Sequence, residues 1–336
     1  MRRLWIIGCL LLLSGCVDDP RPAEADERIT TSQSSVSNLS LFQIPDPISI
    51  PSLSSMRLEG TNLTLESVES ENAVYTRYAI NYTSNGLKIT GVLLIPKGEG
   101  PFPLVILNHG YIDPVVYTRG RGLRREQDYL AREGFAVLHT DYRGHAGSDP
   151  SPMTTKIYDG NLEYAMDSIN AILAMRAAKS EFPTIDTEHV GMMGHSLGGG
   201  VTMAILTAHP HLVDAAVLYA PVSAWVFDNF TRWRSLREEG DNTRAIFGTP
   251  DTNPEIWNEL SPASFVESIK APILLVHGDR DSDVPKEWSD RWASTLVDAG
   301  KNVEYLELVG EGHEFAGQWT LFMKAVTRHL KTALSA

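Results

Sequence analysis

Downstream of residue 70 the chain moves between two hydrophobic rhythms. Residues 74–82 and 87–95 are rich in β-branched and aromatic side chains and are joined by Thr83-Ser84-Asn85-Gly86, a hairpin signal. Residues 104–107 form a short continuous apolar run, the pattern of a strand covered on both faces. Similar runs follow at 136–140, 190–193, 215–219, 273–276 and 303–308. Between most of them lie segments of helical length and period, at 123–133, 161–179, 197–209, 285–299 and 317–334. Strand, helix, strand order predicts an α/β fold: a mainly parallel central sheet with helices on both faces, the hairpin forming an antiparallel edge. One region breaks the alternation. Residues 222–262 form a long insertion holding Trp225, Phe227, Phe230, Trp233, Phe247 and Trp257. An insertion of that length is commonly lid-like. It either packs onto the domain below or caps a substrate site, and the pattern leaves both open.

Upstream of residue 70 the chain has another character. Arg2 and Arg3 precede an apolar run, residues 4–13, with the charge and length of a secretory signal. The run is too short to cross a bilayer as a helix. It ends in Leu13-Ser14-Gly15-Cys16, which resembles the bacterial lipobox. The resemblance implies that residues 1–15 are removed and Cys16 is lipidated, so that acyl chains hold the protein to a membrane at about 0.8 kcal/mol per buried methylene. The expected location is the cell envelope, and Val17 after Cys16 favours the outer membrane of a Gram-negative cell. Residues 17–55 are rich in Ser, Thr, Pro and Asp. Residues 16–70 are therefore expected to be the lipidated cysteine and a flexible tether, with one α/β domain from 71 to 336.

Charge and cysteine content narrow the function. Asp and Glu number 42 against 29 Lys and Arg, a formal charge of −13, the wrong sign for a nucleic-acid surface. The two cysteines, Cys9 and Cys16, both lie in the N-terminal segment, so the domain has no disulfide and no thiolate metal site.

In an open parallel sheet, ligands bind beyond the carboxyl ends of the strands. There the run 190–193 enters Gly194-His195-Ser196-Leu197-Gly198, followed by a helical segment. In that context Gly-X-Ser-X-Gly reads as a nucleophile elbow. Gly194 and Gly198 leave room for a sharp turn that lifts the Ser196 hydroxyl clear of the sheet. A serine needs a base, and the base needs an acid to orient it. After the run 273–276 come Asp279, Asp281 and Asp283, three candidate acids. After 303–308 comes His313 on a glycine-flanked loop. The order serine, acid, histidine fits this class. The Asp279, Asp281, Asp283 spacing also imitates a calcium loop. Val284 and Asp290 stand where such a loop needs Gly and Glu, so no metal is expected. For the oxyanion, one donor is the backbone N–H of Leu197. The other is expected from Asn108-His109-Gly110-Tyr111, with Tyr111 donating and His109 structural.

Together, Asn108-His109-Gly110-Tyr111, the segment from Asp141 to Ser148, Gly194-His195-Ser196-Leu197-Gly198-Gly199 and the stretch from Ser261-Pro262 to Asp283-Val284-Pro285 resemble the prolyl oligopeptidase-like branch of the α/β-hydrolases. That branch also holds dienelactone-hydrolase-like proteins and acyl esterases. The resemblance implies an α/β-hydrolase fold and a cofactor-free serine hydrolase. It selects Asp281 as the acid and suits Tyr111 as a hydroxyl donor, leaving Asp141 and Arg143 as scaffold. The larger peptidases of the branch carry a β-propeller before this domain, for which the first 75 residues have no room. That turns the expectation toward esters, with short peptides as the alternative substrate and a catalytically silent binding lipoprotein as the alternative of another class.

Overall fold

The computed structural model describes residues 49–153 and 156–334. The signal segment, Cys16 and the tether up to residue 48 lie outside the described residues. Nine strands form one sheet: β1 (Gly60–Glu71), β2 (Tyr75–Ser84), β3 (Leu87–Pro96), β4 (Phe102–Asn108), β5 (Ala136–Thr140), β6 (Ile185–His195), β7 (Ala215–Tyr219), β8 (Ile273–Gly278) and β9 (Val303–Leu308). Their spatial order is β1-β2-β3-β5-β4-β6-β7-β8-β9. The first three strands join antiparallel and all pairs from β5 to β9 are parallel. The β2–β3 hairpin turns at Asn85 and Gly86, both at positive φ (43° and 87°), as a two-residue hairpin with right-handed twist requires.

Successive side chains of a strand point to opposite faces, and the central strands use both. Leu104, Ile106, Leu138, Met192, Leu218 and Leu275 enter one core; Val105, Leu107, Val137, Met193, Val217 and Val276 enter the other. The first core is closed by α3 (Leu162–Ala177), α4 (Leu197–Ala208) and α8 (Lys286–Asp298). The second is closed by α2 (Arg124–Arg132) and α9 (Trp319–Leu334). This is the mainly parallel, doubly covered sheet expected from the apolar runs.

Residues 49–71 depart from the expected tether. The helix α1 (Ile50–Ser55) starts in a capping box between Ser49 and Ser52, and buries Ile50 and Leu53 in the first core. Strand β1 then pairs along β2, so the hairpin is not the sheet edge. The polar composition of β1 is that of an exposed edge: it buries little besides Leu63, and its Glu66, Glu69 and Glu71 discourage pairing with another chain.

Between β7 and β8 the insertion folds as α5 (Val226–Asn229), a π-helical turn (Phe230–Arg234), α6 (Glu238–Phe247), α7 (Pro254–Leu260) and a 3-10 segment (Pro262–Ser268). Both readings of its aromatics apply, to different residues. Phe230, Phe247 and Trp257 are buried in the first core, whereas Trp233 faces a cavity.

Candidate active site

The cavity opens at the carboxyl ends of β4, β6, β8 and β9, has a volume of about 580 Å³, and is walled by Ser196, His313, Tyr111 and the insertion's Trp233. That size is ordinary for a small-molecule site. Ser196 sits between β6 and α4 at φ 55°, ψ −120°, a conformation costly for a residue with a Cβ. The surroundings impose it. A Cβ on Gly194 would stand 2.1 Å from the Gly198 carbonyl oxygen, and one on Gly198 would stand 2.0 Å from the Asn108 carbonyl oxygen. The Ser196 N–H donates to the Tyr219 carbonyl (2.9 Å), and its own carbonyl accepts from Gly199 (2.9 Å) and Val222 (3.1 Å). The backbone is held while the hydroxyl faces the cavity.

Of the three aspartates after β8, the one placed against His313 is Asp281, with Oδ2 2.6 Å from His313 Nδ1. The Asp281 side chain is wholly buried and that of His313 is 13% exposed. Oδ1 accepts from the backbone N–H groups of Asp283 (2.8 Å) and Val284 (2.9 Å), and Oδ2 lies 3.1 Å from His277 Nε2. Burial alone would raise this carboxyl's pKa. The hydrogen bonds from His277, His313 and Val284 outweigh it and hold the group well below the usual carboxylate range. Asp281 is therefore ionised at neutral pH and keeps the proton of His313 on Nδ1, leaving Nε2 free to take another. Ser196 and His313 share the cavity without a hydrogen bond between them. Asp279 instead accepts from the Gly310 N–H, and Asp283 is exposed.

Three supports lay outside the sequence reading. His277, the first residue of the His-Gly-Asp stretch, is clamped between Ser289 Oγ (2.7 Å) and the Asp281 corner. His195 lies under His313, its ring centroid 4.5 Å away and its Nε2 3.2 Å from the His313 carbonyl oxygen. Burial first, then the neighbouring imidazole of His313, push the His195 pKa down to about 3, so it is neutral and serves as a donor. Arg232, from the insertion, donates to the carbonyls of Asp283 (3.0 Å) and Ser282 (3.2 Å), bracing the loop that presents Asp281. The sequence signal for His195 was its place inside the elbow; Arg232 had none.

The oxyanion candidates lie around Ser196. Leu197 opens α4, so its N–H belongs to the unpaired first turn of the helix, beside the serine. A Cβ on Gly110 would lie 3.1 Å from the Ser196 Cβ, which places the loop after β4 against the nucleophile position. Tyr111 is 55% exposed and lies under Arg234, whose guanidinium carbon is 5.5 Å from the ring centroid. His109 is buried, with Nδ1 2.7 Å from the Gly110 carbonyl oxygen and its ring stacked on Tyr142 and Tyr117. Asp141 accepts from Tyr117, Gly120 and Thr90 beneath this loop, and Arg143 is paired with Asp167 and Glu163. Among the described residues, Asp281, Asp283 and His313 could gather round a metal ion, their ligand atoms lying within 4.8 Å of one another. An ion there would have to replace the hydrogen bond between Asp281 and His313.

Comparison with known proteins agrees with this arrangement. The model of the prolyl oligopeptidase family, Peptidase_S9, matches residues 121–331. An uncharacterized peptidase, YtmA, of Bacillus subtilis is 31% identical over 68% of this chain and 82% of its own length. Esterase EstD of Thermotoga maritima is 27% identical over 64% of this chain and 54% of its own length. Among solved structures, the acylaminoacyl peptidase of Pyrococcus horikoshii superposes with a TM-score of 0.62 at 24% identity, covering 78% of this chain and 43% of that one. The last likeness speaks to the fold alone, which is that of the α/β-hydrolases.

Proposed function

The chain belongs to the prolyl oligopeptidase family and is a serine hydrolase, and from that premise we propose that it hydrolyses carboxylic esters through an acyl-enzyme on Ser196. The observation that carries the reading is the elbow serine sharing a cavity with His313, itself bonded at 2.6 Å to a buried, ionised Asp281. Ser196 Oγ attacks the ester carbonyl while His313 Nε2 takes its proton. Asp281 fixes the imidazole and stabilises the imidazolium. The tetrahedral oxygen accepts from the Leu197 N–H and from Tyr111, donors whose individual loss typically costs about 10²–10³ in rate. His313 then protonates the leaving alcohol, and water deacylates the serine by the reverse proton path.

Support for ester over amide comes from the likeness to EstD and from the leaving group, since an alkoxide departs with less help than an amine. The likeness to a peptidase, YtmA, favours short peptides as the second reading. Comparing p-nitrophenyl acyl esters of increasing chain length with aminoacyl and prolyl p-nitroanilides separates them. The expected result is ester turnover with a chain-length optimum and amide turnover at least about 10²-fold slower. Comparable kcat/KM on amides, with no chain-length preference among esters, would favour the peptidase.

We also propose that the protein is exported and anchored through lipid on Cys16. Among the described residues no helix is long and apolar enough to cross a membrane. A Cys16→Ser chain expressed in bacteria should lose incorporation of labelled palmitate and leave the membrane fraction; retention of both would remove the proposal.

A further inference from the structure

The chain is acidic overall, with a formal charge of −13, yet four arginines face the Ser196 cavity: Arg124, Arg125, Arg234 and Arg237. Two of them are engaged. Arg125 donates to the Glu314 carbonyl (3.1 Å) and lies 3.6 Å from its carboxylate and 3.5 Å from that of Glu126. Arg234 pairs with Glu239 at 3.4 Å and covers the rings of Tyr111 and Tyr158. The other two are exposed and, among the described residues, have neither a hydrogen-bond acceptor nor a carboxylate within 4.0 Å. They come from different parts of the molecule, Arg124 from the start of α2 and Arg237 from the insertion just before α6.

The cavity's own carboxylates do not neutralise them. Glu126 is buried and accepts from Trp319 Nε1 (2.7 Å), and Glu314 is taken by Arg125. Asp283 stands beside the Asp281 and His313 pair, where its field falls on the imidazole. Uncompensated positive charge therefore remains at Arg124 and Arg237, on the same cavity as the nucleophile. A guanidinium presents paired N–H donors that match a carboxylate, and it stays charged at every pH the protein meets.

We propose that this cavity selects substrates carrying a free carboxylate, recognised by Arg124 and Arg237. The proposal rests on the reading of the Ser196 cavity as the substrate site and names the substrate class within it. Two point charges about 4 Å apart in water interact enough for roughly a fivefold effect per cation, so two cations together give a preference of up to about 25-fold.

The test pairs two esters of equal chain length, mono-p-nitrophenyl glutarate and p-nitrophenyl pentanoate. At low salt kcat/KM is expected to favour the glutarate by about tenfold, shrinking as salt screens the charges. Arg124→Glu and Arg237→Glu should each lower that ratio, and together reverse it. A ratio at or below one at low salt, or one indifferent to both reversals, overturns the proposal while leaving ester hydrolysis intact. Binding gives a readout that does not depend on turnover: Ser196→Ala should bind glutaric acid monoanilide more tightly than pentananilide. Equal affinities overturn the arginine assignment. If neither ester is turned over by the wild type, the hydrolase reading falls and the binding comparison still decides this one.

Discussion

The loop corner around Asp281 and the insertion between β7 and β8 face the same cavity and are built on opposite principles. At the corner, polar atoms are committed. Asp281 accepts from two backbone N–H groups and from two imidazoles, and is wholly buried. The insertion anchors itself by burying Phe230, Phe247 and Trp257, and then reaches the cavity with long, exposed or half-exposed cations. Its ties to the domain include Arg232 on two loop carbonyls and Arg291 paired with Asp228, both on the surface. Exposed ion pairs contribute little, about 0–1 kcal/mol, whereas a buried ion held by several donors is costly to disturb. The chemistry is thus held by the rigid body of the fold, and the proposed selectivity rests on exposed side chains unpaired among the described residues, Arg237 of the insertion together with Arg124 at the start of α2.

That contrast makes graded predictions. Ser196→Ala should cost about 10⁶-fold in kcat with the melting temperature unchanged, since alanine keeps the Cβ that strains the elbow, whereas Ser196→Gly should raise the melting temperature. Asp281→Asn should cost about 10⁴-fold, because the amide favours the wrong tautomer of His313. Tyr111→Phe should lower kcat by about 10²-fold with little change in KM, and a change under about twofold would assign the donor to the Tyr111 backbone N–H. Arg232→Ala should sharpen the comparison from the other side: loss of two exposed hydrogen bonds is expected to cost on the order of 1 kcal/mol in stability and, because the loop they brace presents Asp281, to lower kcat more than it raises KM.

A further effect appears only in acid. Buried His109 and His195 have pKa values near 3, below the 6.5 of an exposed imidazole, so in acid the unfolded chain binds protons that the folded chain refuses. Their contribution is fully present above about pH 6.5 and is lost as the pH falls toward 3, at about 1.4 kcal/mol per pH unit for each histidine in the interval. His195→Gln should flatten the acid limb of a denaturation series by about one proton. An unchanged slope would show that His195 titrates normally in the folded state.

The strands and helices from residue 74 onward were legible because the central strands are buried on both faces and therefore unbroken in apolar character, as in Leu104 to Leu107. Ser196 was legible because the elbow needs its two glycines, and His313 because it follows the last strand. The choice of Asp281 over its two neighbours needed the family resemblance, since all three occupy the same loop. Strand β1 was illegible for a physical reason: an edge strand is held by backbone hydrogen bonds, and its outward Glu, Ser and Thr side chains have the composition of a tether. The insertion's course was also hidden. Its aromatics announce buried surface, but which of them turns to the cavity depends on the π-helical turn at Phe230–Arg234.

The central claim, that Ser196 is a nucleophile activated by His313 and Asp281, is tested most directly by intact-protein and peptide mass spectrometry after treatment with a fluorophosphonate. A single adduct is expected on Ser196, absent in Ser196→Ala and slowed by orders of magnitude in His313→Ala and Asp281→Asn. An adduct on another residue, or equal labelling of the wild type and Ser196→Ala, would contradict it.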